Sequence, residues 1–198
     1  MFVTFEGLDG SGKSTQVELL REALTAEGRQ VVTTREPGGT AFGERVRELL
    51  LHGGALSPWA ETALFAAARA ELVELVIRPA LEDGADVVCD RYIDSSLAYQ
   101  GLARGLGVDR VLELNLQVTR GLLPDRTFLI LLDPTVSARR TGDDPDRIER
   151  EGDAFRSAVD RAYRQLASMF PKRVVALDGS KSARDLAVEI RGQLRDLS

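Results

Sequence analysis

The chain has 198 residues, 43% apolar and 29% charged, with a formal net charge of −5. That length suits one ordinary domain with a real core. It holds no run of about 18 apolar residues that would cross a membrane, and its scattered charges form no basic stripe of the kind that grips nucleic acid. The one cysteine, Cys89, excludes an intrachain disulfide and fits a cytoplasmic protein, and the one histidine, His52, cannot build a His-rich metal site. The stretch from Met1 to Glu6 lacks the basic and apolar regions of a secretion signal, so none is expected.

In chain order, Phe2 to Glu6 is a short β-rich run, followed by the glycine-rich Gly7-Leu8-Asp9-Gly10-Ser11-Gly12. Lys13 to Glu27 shows helical spacing, with Val17, Leu20 and Leu24 on one face and Gly28 as a stop. Residues 30–34 form a second strand and Thr40 to Leu51 a helix. Ser57-Pro58 is an N-cap with proline at the first helical position. A long helix is expected from there to Glu82, bent near Pro79. Asp86 to Cys89 is a third strand, and helices follow over Ser95–Ala103 and Asp109–Arg120. Thr127 to Leu132 reads as a strand buried on both faces. A short helix over Thr135–Thr141 leads into a charged loop, Gly142 to Glu151. Phe155–Met169 is a helix, Arg173–Leu177 the last strand and Ser182–Leu194 the last helix. Strands alternating with helices predict an α/β three-layer sandwich, a five-stranded parallel sheet covered on both faces. The whole chain, 1–198, reads as a single domain with a short lid at about 139–151.

Gly7 to Ser14 fits G-x-x-x-x-G-K-[ST] with a strand before and a helix after, the signature of a P-loop. The glycines let successive N–H groups turn toward an anion, and the following helix adds its positive end. Lys13 supplies a cation for the β- and γ-phosphates of ATP, and the Ser14 hydroxyl suits Mg²⁺. Asp90 ends an apolar strand, where it either holds the metal's hydration shell, caps the next helix or pairs with Arg91. With the cradle present the metal role is favoured. Asp133, followed by Pro134, reads as a helix cap.

A guanine-reading switch would carry Asn-Lys-x-Asp, and no such run occurs. Motors and transporters bring larger chains, so a small-molecule kinase is the natural reading. Arg139, Arg140 and Arg147 flank or sit in the charged loop. A loop that closes over ATP would bring an arginine to the migrating phosphoryl group.

Four blocks then resemble the bacterial thymidylate kinases: Phe5 to Thr15, Thr34-Arg35-Glu36-Pro37-Gly38-Gly39-Thr40, Phe65-Ala66-Ala67-Ala68-Arg69, and Asp90-Arg91-Tyr92 running to Ala98-Tyr99-Gln100-Gly101. Asp146-Arg147-Ile148-Glu149 is a weaker fifth. The resemblance implies a homodimeric kinase that converts dTMP to dTDP with Mg-ATP. It implies that Phe65 stacks on thymine and Arg69 bonds its O4, that Arg91 with Arg35 grips the monophosphate, and that Ser95, Ser96 and Gln100 stand near the base. It further implies that Tyr99 crowds the 2′ side of the sugar, that Asp9 reaches the 3′-hydroxyl and that Glu36-Pro37 is cis. Gly7 through Thr15 would enclose the ATP phosphates. With Leu8, Asp9, Gly10 and Ser11 at its variable positions the cradle has no arginine, so the lid is implied to supply one. Arg139, Arg140 and Arg147 are the candidates, the first two grouped with the ATP site and Arg147 with the catalytic residues, and which of them contacts ATP stays open.

The alternatives are a kinase for another nucleoside monophosphate or for a deoxynucleoside, and a nucleotide-gated binding protein. The acceptor of a monophosphate kinase has a second pKa of about 6 and is a dianion at neutral pH. It needs no general base, and none is visible.

Overall fold

A computed structural model of the chain describes residues 1–141 and 145–195. The predicted lid tip, residues 142–144, lies outside the described residues. Among the described residues five strands are interspersed with nine α-helices: β1 Phe2–Glu6, α1 Lys13–Ala26, β2 Val31–Arg35, α2 Ala41–His52, α3 Pro58–Leu72, α4 Arg78–Glu82, β3 Asp86–Asp90, α5 Ile93–Ser96, α6 Val108–Val118, β4 Arg126–Leu131, α7 Pro134–Arg140, α8 Asp153–Met169, β5 Val174–Asp178 and α9 Ala183–Gln193. The sheet is parallel throughout, in the order β2-β3-β1-β4-β5.

The strand period of two sorts the core into two halves. Phe2, Val87, Cys89 and Leu129 face a cluster with residues of α3, α5, α6 and α8. Val3, Phe5, Val88, Phe128 and Ile130 face the opposite cluster, with Val17, Leu20 and Leu24 of α1 and Leu186 and Ile190 of α9. β1, β3 and β4 are therefore apolar on both faces, whereas β2 and β5 at the sheet edges alternate with solvent. Cys89 is fully buried in this core.

Two expectations need correcting. The helix from Pro58 is continuous to Glu82 but widens into a π-turn over Val73–Ile77, before Pro79. Proline lacks an N–H and its ring crowds the carbonyl four residues back, and the wider turn accommodates both. The helix expected over 95–103 begins at Ile93 as α5 and continues as a second π-turn, Leu97–Ala103. Asp133 does cap α7, accepting from the amides of Thr135 and Val136.

Candidate active site

In a parallel sheet ligands meet the carboxyl ends of the strands, and β1, β2 and β3 each deliver a segment there. After β1 the chain turns at Gly7, with φ 139°, where a Cβ would lie 2.5 Å from the Ile130 carbonyl oxygen. Gly10 has φ 77°, and a Cβ there would lie 2.6 Å from the Ser137 carbonyl oxygen. Gly12 precedes α1 with no side chain capping it, so the first amides of the helix remain available to an anion. Lys13 Nζ folds back on the carbonyls of Gly7 (3.1 Å) and Leu8 (3.0 Å) and lies 3.7 Å from Asp9. Burial and the nearby Arg91 charge push its pKa below the usual lysine value. Ser11 Oγ is buried without a protein hydrogen-bond partner. Ser14 Oγ donates to Asp90 Oδ2 at 2.7 Å, joining the start of α1 to the end of β3. Gly10, Gly12, Lys13, Ser14 and Asp90, with Thr15, Arg35 and Arg140, line one cleft.

Arg91 follows β3 with φ 70°, a strained setting for a residue other than glycine. Its guanidinium donates to Asp9 (2.6 Å), Ser95 Oγ (3.1 Å) and Tyr163 Oη (3.1 Å) and lies over the Tyr99 ring. Desolvation pushes Asp9 upward, but the charges of Arg91 and Lys13 outweigh it and hold the carboxyl well below the usual range. Beneath Arg91 is a buried carboxyl, Glu6. It accepts from the amides of Tyr92 and Ser95 and from the hydroxyls of Ser95 and Tyr163. Burial, then the charge of Asp94, raise its pKa to about 7.

Arg91, Ser95, Ser96, Tyr99 and Gln100 line a second cleft with Pro37, Phe65, Leu51 and, from the far side, Asp146 and Ile148. Arg69 lies behind this wall, 1% exposed. All five of its N–H groups donate inside the protein: to Glu36 from Nε and Nη2, to the Tyr92 carbonyl, to Ser96 Oγ and to Asn115. Burial raises the pKa of Glu36 against the pull of Arg69, and its Oε1 has no partner. The Glu36-Pro37 peptide is cis. Asp9, Glu36, Arg47 and Arg91 line both clefts, so the two clefts share a wall.

Known proteins match nearly the whole chain. The family model described as thymidylate kinase matches residues 5–190. The chain belongs to the thymidylate kinase family. It is 48% identical over 203 residues to a thymidylate kinase of Bifidobacterium longum, covering all of this chain and 98% of that one. It is 47% identical over 194 residues to that of Symbiobacterium thermophilum, covering 96% and 91%. The crystal structure of thymidylate kinase from Ehrlichia chaffeensis superposes with a TM-score of 0.82 at 34% identity, covering 98% of each chain. The chain is thus a kinase with the P-loop kinase fold of its family.

Within that thymidylate kinase framework the structure brings together most of the sequence-predicted residues. Gly10, Gly12, Lys13, Ser14, Thr15, Asp90 and Arg140 line the phosphate cleft. Phe65, Pro37, Ser95, Ser96, Tyr99 and Gln100 line the other. Arg35 borders the phosphate cleft but is 55% exposed and paired with Glu44. Arg69, Arg139 and Arg147 line neither cleft. Arg147 donates instead to the Leu50 carbonyl (2.7 Å) and to Glu61 (2.7 Å). Sequence reasoning missed Arg47, which donates to the Pro37 carbonyl at 2.9 Å. Its signal was faint: it lies four residues after Gly43, beside the buried stripe of Gly43, Val46 and Leu50. The Glu6–Tyr163–Ser95 network behind Arg91 was missed as well. Its partners come from β1, α5 and α8 and share no sequence spacing.

Proposed function

We propose that this enzyme transfers the γ-phosphoryl group of Mg-ATP to the monophosphate of dTMP, giving dTDP and ADP for dTTP synthesis. The observation that carries the reading is the shared wall: Asp9, Glu36, Arg47 and Arg91 border both clefts, an arrangement that supports two phosphate groups side by side.

In this reading Gly7 to Thr15 wrap the ATP phosphates, and Lys13 exchanges its two loop carbonyls for phosphate oxygens. Arg140, whose Cβ lies against the Gly10 backbone, is the best placed of the three candidate arginines to approach ATP. Arg139 and Arg147 would have to move to reach it. Ser14 and Asp90 present two oxygen donors 2.7 Å apart. No group of three or more His, Cys, Asp or Glu suited to a metal occurs among the described residues. Ser14 and Asp90 would hold Mg²⁺, a hard cation that takes few protein oxygens and would draw its other ligands from water and the substrate phosphates. When bound, the metal offsets charge on the phosphates. Arg91 and Arg35 grip the acceptor phosphate, and Asp9 reaches the sugar 3′-hydroxyl while orienting Arg91. Tyr99 crowds the 2′ position. The acceptor dianion attacks without a general base, so the residues act by neutralising charge and fixing in-line geometry.

Phe65 stacks on the thymine ring. Arg69 reads O4 by giving up one internal partner, Ser96, whose hydroxyl is then free for the base. Gln100 stands beside N3. Exposed Phe42 and Leu49 on α2 and Trp59 on α3 support a homodimer built on those helices, and the single buried Cys89 is compatible with the cytoplasm. No helix among the described residues is long and apolar enough to cross a membrane.

The test is formation of ADP and the diphosphate from Mg-ATP with dTMP, dUMP, dCMP, dGMP, AMP or thymidine. dTMP should give the highest kcat/KM. Faster turnover of thymidine or of another monophosphate would overturn the assignment.

A further inference from the structure

Glu61 lies in the first turn of α3, is 1% exposed, and lines neither cleft. Four hydrogen bonds converge on it. Gln100 Nε2 (2.8 Å) and Arg104 Nε (2.6 Å) donate to Oε1. Arg104 Nη2 (3.0 Å) and Arg147 Nη2 (2.7 Å) donate to Oε2. Burial favours the neutral acid, but the bonds from Arg104, Gln100 and Arg147 outweigh it and hold the carboxyl below its usual range. Glu61 is therefore a buried anion with two guanidinium partners.

An ionised carboxylate accepts hydrogen bonds and donates none. Gln100 can meet it only through its NH₂, and a flipped amide would set oxygen against oxygen. Gln100 itself lines the ring-sized cleft and is otherwise 1% exposed. With its NH₂ turned to Glu61, the acceptor that Gln100 offers a ligand is the carbonyl oxygen Oε1. Thymine carries a hydrogen on N3 and can donate to that oxygen. Cytosine has a bare N3 that accepts, and would be repelled.

We propose that Glu61 is a positioning residue for base recognition: by fixing which end of the Gln100 amide faces the cleft, it makes that position an acceptor and selects a pyrimidine with an N3–H. The inference rests on the proposed placement of Gln100 beside the base. Arg104 and Arg147 keep Glu61 ionised and so keep the orientation single-valued. Glu61 does not touch the nucleotide.

Glu61→Gln tests it, because a neutral amide pairs with Gln100 in either orientation. We expect the kcat/KM ratio of dTMP over dCMP to fall by roughly tenfold or more, the scale set when a built hydrogen-bonding position loses its fixed sense. KM for dTMP should rise more than kcat falls, with KM for ATP nearly unchanged. A merely structural role would lower activity on both nucleotides alike and leave the ratio intact. A folded variant that keeps the wild-type ratio overturns the inference. A wild-type enzyme with no preference for dTMP over dCMP would instead overturn the placement of Gln100. Should the variant fail to fold, nuclear magnetic resonance of the wild-type dTMP complex decides. Gln100 side-chain NH₂ protons slow to exchange support the inference, and protons exchanging as fast as those of a free amide overturn it.

Discussion

Lys13 carries the clearest consequence at the scale of a single residue. Its ammonium sits against two carbonyls, close to the Arg91 charge, and its pKa is depressed. Without a polyanion the cation is poorly placed, so its removal should not unfold the protein. Lys13→Ala is expected to lower kcat by roughly 10²- to 10³-fold, the usual loss for one donor to a charged transition state, with Tm little changed. Unchanged kcat in steady-state assays would remove Lys13 from the chemistry. Lys13, Ser14 and Asp90 were legible in the sequence because a cradle is built from contiguous residues and a strand end, and spacing alone encodes both. Arg47 and Glu61 were not. Each is a charged residue on a helix, and its worth depends on which neighbour that helix face meets.

Between residue and fold stand the connections, and the turn from β1 to α1 is the least tolerant of them. At Gly7 both a positive φ and a carbonyl 2.5 Å from any Cβ exclude a side chain. Gly7→Ala should destabilise by roughly 2–4 kcal/mol, combining backbone strain with a clash against β4. In a chain of this length that lowers Tm by about 5–15 °C, read by thermal denaturation, with ATP binding weakened as the amides are displaced. A variant melting like the wild type would mean that the turn relaxes freely. All five strands were placed by sequence within a residue or so, since the central three are apolar on both faces. The helices were placed nearly as well. The π-turns were not, because an extra residue in one turn leaves no mark on a 3.6-residue pattern. Pro79 placed a disturbance near itself but did not say that it would take the form of a wider turn over Val73–Ile77.

Across the whole molecule, stability should carry the imprint of Glu6. Its pKa rises from 4.5 to about 7 on folding, because of burial and then the charge of Asp94. Below pH 4.5 both states are protonated and the group is silent. As pH climbs from 4.5 to 7 the unfolded chain ionises first, so wild-type stability declines, by up to ~3 kcal/mol. Glu6→Gln should lack this decline. In chemical denaturation the stability of wild type relative to variant should fall across that interval, whatever their absolute difference. A constant difference from pH 4.5 to 7.5 would show that Glu6 is ionised in the folded protein throughout.

The four residues common to the two clefts also bear on inhibitor chemistry. A compound that joins a pyrimidine head to an anionic tail would lie across the wall, Arg47 and Arg91 included, that the two clefts share. Seating the head would raise the effective concentration of the tail at the P-loop, so two weak fragments should combine into one strong ligand when the tether matches the gap. Under the proposed function the shared wall also makes resistance costly, since a substitution that evicts such a compound would disturb the proposed seats of both natural nucleotides.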